Sequence, residues 1–227
     1  VYNTDDGYVG SKLIEKDVEP NLAITWETAE KYNLGFDGSV LNGKLDFVVE
    51  LFQEKRNDIL TSRLSVPATI GISAEKLPEE NIGKAKNHGF EVILTHNNRV
   101  GDLRYSVSGN IAYARNEIVY WDEPEDIPEW QRREGNVIGS DLWYLSDGIY
   151  SDTNEINSSV HYDVRDIEDL QGTIQIIDRS GNDTISGEDM VRIDRSEIPE
   201  LTFGFSLTAE YKGFDFSALL QGQARAH

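Results

Sequence analysis

Apolar residues recur at every second position from Leu201 onward. Leu201, Phe203, Phe205, Leu207, Ala209 and Tyr211 alternate with Thr202, Gly204, Ser206, Thr208 and Glu210. After Lys212-Gly213 the alternation restarts, with Phe214, Phe216, Ala218 and Leu220 against Asp215, Ser217 and Gln221. A period of two predicts a β-hairpin with one apolar, aromatic face and one small, polar face. Its arms of about 9–11 residues suit a tilted strand that crosses a bilayer, whereas an average strand has about 5–6 residues.

The pattern recurs twice upstream. Tyr32, Leu34, Phe36 and Val40 alternate with Asn33, Gly35, Asp37 and Ser39 in a strand that begins near Trp26. Leu41-Asn42-Gly43 predicts a hairpin turn, because Asn-Gly supplies the positive φ angles of a type I′ turn. The return arm puts Leu45, Phe47, Val49 and Leu51 on one face, and Asp46, Val48, Glu50 and Phe52 on the other. In the next hairpin Phe90, Val92 and Leu94 oppose Glu91, Ile93 and Thr95. Asn97 to Asp102 turns the chain. Leu103, Tyr105, Val107, Gly109, Ile111 and Tyr113 then face one way, and Arg104, Ser106, Ser108, Asn110, Ala112 and Ala114 the other.

The connections are unequal. The turns at 41–43, 99–102 and 212–213 are short, whereas 61–84 and 117–199 are long. Residues 1–25 read as the end of another loop. Short turns on one side and long loops on the other are the asymmetry of an outer-membrane barrel. Tyr32, Tyr105, Tyr113 and Tyr211 cap the apolar face as an interfacial girdle would. The predicted fold class is all-β: a partial transmembrane, antiparallel, up-and-down β-barrel of about six long strands in three hairpins. A soluble sheet packed on a core explains the alternation equally well, but the arm length and loop asymmetry less well. Six arms are too few to close, since the smallest such barrels have 8 strands.

Composition adds limits. The 227 residues carry a net charge of −20 and no Cys, so disulfides and thiolate metal sites are out of reach. A nucleic-acid partner is not expected, because binding phosphate needs Lys and Arg. No apolar run is long enough for a membrane-spanning helix, which says nothing against a barrel. The first residues, Val1 to Asp6, are neither Met-led nor shaped like a signal peptide, which suggests an internal piece of a longer chain. The 117–199 excursion holds about half of the 41 acidic residues and no Lys. It is also rich in aromatics, which argues against full disorder.

Four stretches resemble one family. Pro20-Asn-Leu-Ala-Ile-Thr-Trp-Glu-Thr-Ala-Glu-Lys-Tyr-Asn-Leu-Gly-Phe-Asp37, Asn81-Ile-Gly-Lys-Ala-Lys-Asn-His-Gly-Phe-Glu91, Leu142-Trp-Tyr-Leu-Ser-Asp-Gly-Ile-Tyr150 and the segment from Gly172 to Gly222 are similar to segments of the SusC/RagA-type TonB-linked outer-membrane transporters. They occur in the right order and cover nearly the whole chain. The resemblance implies that residues 1–227 belong to one barrel domain of the outer membrane of a Gram-negative bacterium. The plug domain and the final strands would lie elsewhere, and 117–199 would be extracellular. It further implies contact with outer-membrane lipid, a SusD-like surface lipoprotein, the TonB complex acting through the plug, and an oligosaccharide or peptide substrate. Asp37, Glu50, Glu91 and Arg104 would line the lumen. Trp121, Trp130, Trp143, Tyr144 and Tyr150 are candidates for stacking on substrate or covering the partner interface.

One motif suggests a cation. From Asp178 to Asp189 the oxygens of Asp178, Ser180, Asn182, the Thr184 carbonyl, Ser186 and Asp189 follow the spacing of a Ca²⁺ loop. Asp183 stands where Gly normally makes the turn, although Asp tolerates a left-handed conformation. Ile185 would anchor the loop inward. The other reading is a turn held by its own side-chain hydrogen bonds. Catalysis has no comparable support. His88, His96, His161 and His227 are scattered, acidic pairs abound by composition, and phosphate-loop, G-x-S-x-G and H-E-x-x-H motifs are absent. The chain is therefore expected not to be an enzyme. The functional alternative to an importer is a soluble calcium-dependent β-sheet module that binds carbohydrate.

Overall fold

A computed structural model describes residues 2–3, 9–10, 21–65, 77–162 and 166–226. Most of the expected N-terminal loop, Pro67 and Gly71 of the first connection, and His227 lie outside the described residues. Two short strands, β1 (Tyr2–Asn3) and β2 (Val9–Gly10), pair with each other near the start. The main body is one six-stranded antiparallel sheet. Its strands are β3 (Thr28–Val40), β4 (Leu45–Thr61), β5 (Glu80–Val100) and β6 (Leu103–Tyr120), then β11 (Leu201–Tyr211) and β12 (Phe214–Ala224). Between β6 and β11 the excursion contributes β7 (Leu142–Tyr144), β8 (Ser146–Ile149), a helix α1 (Thr153–Ser158), β9 (Ile174–Ile176) and β10 (Met190–Arg192). The sheet order is β12-β11-β6-β5-β4-β3, an up-and-down meander that stays open at β3 and β12.

The register shows what the period of two was building. Leu34, Leu51, Phe90, Tyr113 and Leu201 stand directly opposite one another in a single row across five strands. The next row is Phe36, Val49, Val92, Ile111 and Phe203. The rows continue to the turns, where Val100, Leu103, Tyr211 and Phe214 meet, with His96 and Asn98 of β5 as polar members in between. All share one face, because directly opposed residues point the same way. From Phe90 to Val100 this belt spans ten steps, about 33 Å along the strand. At the usual barrel tilt that projects to about 25 Å, the height of an outer-membrane apolar band. Belt residues are widely exposed, Phe214 by 80% and Leu34 by 56%. Among the described residues nothing covers that face.

The opposite face is mainly polar, with Val48, Phe52 and Ile93 as apolar exceptions. Glu50 opposes Glu91, Asp46 opposes Thr95, and Thr95 is 2.9 Å from Ser108. Aromatic rings lie over glycines at three cross-strand pairs: Phe47 over Gly38, Phe203 over Gly222, and Phe52 over Gly89. A Cβ at any of the three would strike the ring. Each pair therefore needs its glycine to let two backbones and a ring stack closely.

The turns behave as their residues demand. Lys212 and Gly213 both have positive φ, 49° and 86°, as a two-residue type I′ turn requires. At Gly101-Asp102 the positive φ falls on Gly101 alone, the pattern of a type II′ turn. The first turn differs from the expected Asn-Gly pair. Val40 pairs with Leu45, which leaves four loop residues, and Leu41, Asn42 and Gly43 all have positive φ.

Strand lengths also correct the sequence reading. β11 and β12 have 11 residues each, as expected, but β3 to β6 have 13, 17, 21 and 18. β5 begins at Glu80 rather than near Phe90, so the first connection shortens to 62–79 and the excursion to 121–200. Most of the extra length lies on the side away from the turns, although β5 also runs on to Val100 and narrows the expected 97–102 turn to Gly101-Asp102. There the outward rows become polar: Tyr32, Gln53, His88 and Arg115, then Glu30, Lys55, Lys86 and Glu117. Lys84 to Gly89 carries no apolar alternation, so periodicity had nothing to detect.

Candidate functional site

The excursion is a small folded body at the end of the sheet opposite the turns. β7 pairs with β10 and β8 with β9. Ile156, Val137, Tyr150 and Ile185 form its apolar core. Asp152 caps α1 by accepting from the Asn154 and Glu155 amides at 2.8 and 3.0 Å. Polar side chains then fix the segments to one another. The buried Gln131 amide donates to the Gly187 and Met190 carbonyls at 2.7 and 2.9 Å. Arg192 donates from Nε to the Gln131 carbonyl at 2.9 Å and from Nη1 to that of Ser140.

Several attachments hold this body to the rim. The Ile118 amide donates to the Asn136 carbonyl, and the Gly135 amide to that of Ile118, both at 2.9 Å. Arg115 binds the carboxylates of Asp194 and Glu200, and Arg225 binds Glu200 at 2.6 Å. Asp122 accepts from Leu64 N, Ser65 N and Ser65 Oγ within 2.6–2.8 Å, tying the first connection to the second. Burial alone would raise the Asp122 pKa, but these three donors outweigh it and hold the carboxyl below the usual range.

The five candidate aromatics do not converge. Tyr150 is buried in the core, its hydroxyl donating to the Val160 carbonyl at 3.2 Å. Trp130 donates to the Glu188 carbonyl at 2.9 Å, under Arg179 at 5.4 Å. Tyr144 meets Tyr162 edge-on at 6.0 Å, and burial together with Tyr144 pushes the Tyr162 phenol up to about 12. Trp143 is 55% exposed on β7. Trp121 lines a cleft of about 490 Å³, with Arg133 stacked 5.6 Å from its ring, and Tyr150 borders a smaller one of about 300 Å³. The aromatic count identified the region but could not separate core from surface. Arg115, Arg133 and Arg192 carried no sequence signal, because a lone Arg in an acidic stretch reads as solvated.

The residues of the expected Ca²⁺ loop do come together. Asp183 has a positive φ of 60°, and Ile185 is buried beneath the loop. Asp178 accepts from Ser180 Oγ, Gly181 N and Asp183 N at 3.2, 2.7 and 2.8 Å. Asp189 accepts from Ser180 N and Ser186 N at 2.9 and 2.7 Å. Asn182 accepts from Thr184 N, and Ser186 from Glu188 N. Burial raises the Asp189 pKa, but the backbone donors win and hold it low. All four carboxylate oxygens of the pair accept hydrogen bonds from within the loop. Among the described residues no group of three or more His, Cys, Asp or Glu could hold a metal.

A family model described as TonB dependent receptor-like, beta-barrel, matches residues 3–224. The chain belongs to that family. Its members are outer-membrane receptors of Gram-negative bacteria that work with TonB. TonB-dependent receptor P3 of Formosa agariphila is 28% identical over 216 residues, covering 88% of this chain and 21% of that protein. TonB-dependent receptor SusC of Bacteroides thetaiotaomicron is 26% identical over 210 residues, covering 88% and 20%. The chain thus spans about a fifth of the length of the relatives it matches. Among solved structures, the RagAB peptide importer in its open-open state aligns with a TM-score of 0.58 at 20% identity, covering 92% of this chain and 22% of that one. That likeness shows the fold: a barrel wall, here open because six strands are present.

Proposed function

We propose that this chain is part of the barrel wall and mouth of a SusC-type importer that takes up oligosaccharides or peptides across the outer membrane. The short turns face the periplasm and the folded excursion faces outward. The polar face, with Asp37, Glu50, Glu91 and Arg104, borders the lumen, and Tyr32, Tyr105, Tyr113 and Tyr211 sit at the lipid boundaries. A SusD-like lipoprotein covers the mouth, and TonB supplies energy through a plug domain. The observation that carries this reading is the belt: in-register apolar rows about 25 Å tall, backed by a polar face. Family membership and the similarity to SusC support it. The soluble calcium-dependent carbohydrate-binding module has less support, since such a module would have to bury a belt that the chain leaves bare.

Membrane fractionation of the full-length protein tests the proposal. It is expected in the outer-membrane fraction and to need detergent for release. Recovery as a soluble protein without detergent contradicts it. Deleting the gene should abolish growth on one class of oligosaccharide or peptide and spare growth on the monomer.

A further inference from the structure

The cleft beside Trp121 has a chemistry that its surroundings lack. It measures about 490 Å³, and its walls include Arg133, Arg192, Trp121, Ser140 and Asp141. Ile118 also lines it. Ile118 lies an even number of residues from Asn110 and Ala112, on the face of β6 that carries the polar rows, so the cleft stands at the mouth of the proposed lumen. The excursion around it is strongly acidic, yet two guanidiniums line this one concavity. Arg192 is held in place by the Gln131 and Ser140 carbonyls. Arg133 lies over the indole of Trp121. Burial, and then the like charge of Arg133, lower the Arg192 pKa; Glu123 and Asp141 oppose this only in part. Two cations that repel across a cleft are relieved by an anion placed between them.

We propose that this cleft is a subsite for an acidic sugar unit, which sets its carboxylate or sulfate between Arg133 and Arg192 and its ring beside Trp121. Planar guanidiniums recognise such oxyanions through paired N–H donors, and a fixed indole supplies the apolar surface for a sugar ring. Ser140, on the same wall, supplies a polar partner for a ring hydroxyl. The inference rests on the importer reading and narrows its substrate class to anionic oligosaccharides.

The test is calorimetric titration of the full-length receptor in detergent with hexagalacturonate, maltohexaose and hexa-aspartate. Hexagalacturonate is expected to bind at least about tenfold tighter than either of the others, the scale of one charged hydrogen-bonding contact. Arg133→Gln should remove that preference, and Arg133→Lys should restore only part of it, because a lysine cannot make the paired contact. Trp121→Ala should weaken hexagalacturonate and maltohexaose alike. Raising salt should weaken hexagalacturonate and leave the neutral maltohexaose unchanged, a readout that needs no variant to fold. Equal binding of the three ligands overturns the proposal. So does an unchanged preference in Arg133→Gln, or a preference for hexa-aspartate, which would make the cleft a peptide site. If the receptor needs detergent but shows no acidic preference, the subsite fails while the importer reading stands. If it is soluble without detergent, the importer reading itself fails.

Discussion

The sheet and the excursion put their apolar side chains in opposite places. In the sheet, Phe36, Phe205, Phe214 and Leu220 point away from the rest of the chain and stay exposed. In the excursion, Ile156, Val137, Tyr150 and Ile185 turn inward and are buried. The excursion is therefore organised as water-soluble domains are, around a small core with satisfied polar groups. The sheet is organised for a second solvent, since burying its belt requires something outside the chain. Arg115 and Glu200 join the two regions at the rim.

The largest effect is expected at that joint. Arg115→Ala leaves Glu200 buried with Arg225 alone, and breaking a buried pair of this kind costs about 3–5 kcal/mol. Hydrogen exchange should show the excursion loosening from the rim while β3 to β5 keep their protection. Next, Ile156→Ala empties a fully buried site and should destabilise the excursion by about 2–5 kcal/mol, read by limited proteolysis, with the six-stranded sheet unaffected. Phe205→Arg should do the reverse: it lies near the middle of the belt, where a lipid-facing Arg costs about 2–4 kcal/mol, and proteolysis of the excursion should not change. If Phe205→Arg costs nothing in a bilayer, the contrast collapses.

Two smaller effects sharpen it. Asp122 and Asp189 both have depressed pKa values in the fold. Their stabilisation is fully present above the ordinary aspartate value of 3.8 and is lost as pH falls through the lower folded values. Exchange protection around 64–65 and 180–189 should hold from pH 7 to 5 and decline below about pH 4. Finally, chelating Ca²⁺ should leave protection of 178–189 unchanged, because internal donors already close that loop. A rise in protection on adding Ca²⁺ would restore the cation to it.

The two regions also differ in how much of them could be read from sequence. Strict alternation from Leu201 to Leu220 gave the hairpin, its turn and its apolar face, because a strand's side-chain period leaves no other arrangement. The same alternation found β4 and the inner parts of β5 and β6. It missed their outer halves, since Lys84, Lys86 and His88 stand above the belt and need not be apolar. The excursion was legible only as acidic, aromatic and too long to be unstructured. Its core depends on pairings such as Trp143 with Val191, which join residues far apart in sequence and have no local signature. For the same reason Tyr150 and Trp121 looked alike in sequence, although one is core and the other borders a cleft.

The belt is the central claim, and it can be probed residue by residue. This segment has no Cys, so single spin-labelled cysteines along β11 report on one position each in the full-length receptor reconstituted in a bilayer. Labels at 203, 205 and 207 should be relaxed by lipid-dissolved oxygen, and labels at 202, 204 and 206 by a water-soluble relaxant. Absence of that alternation, or its reversal, would contradict the assignment of the apolar face to lipid.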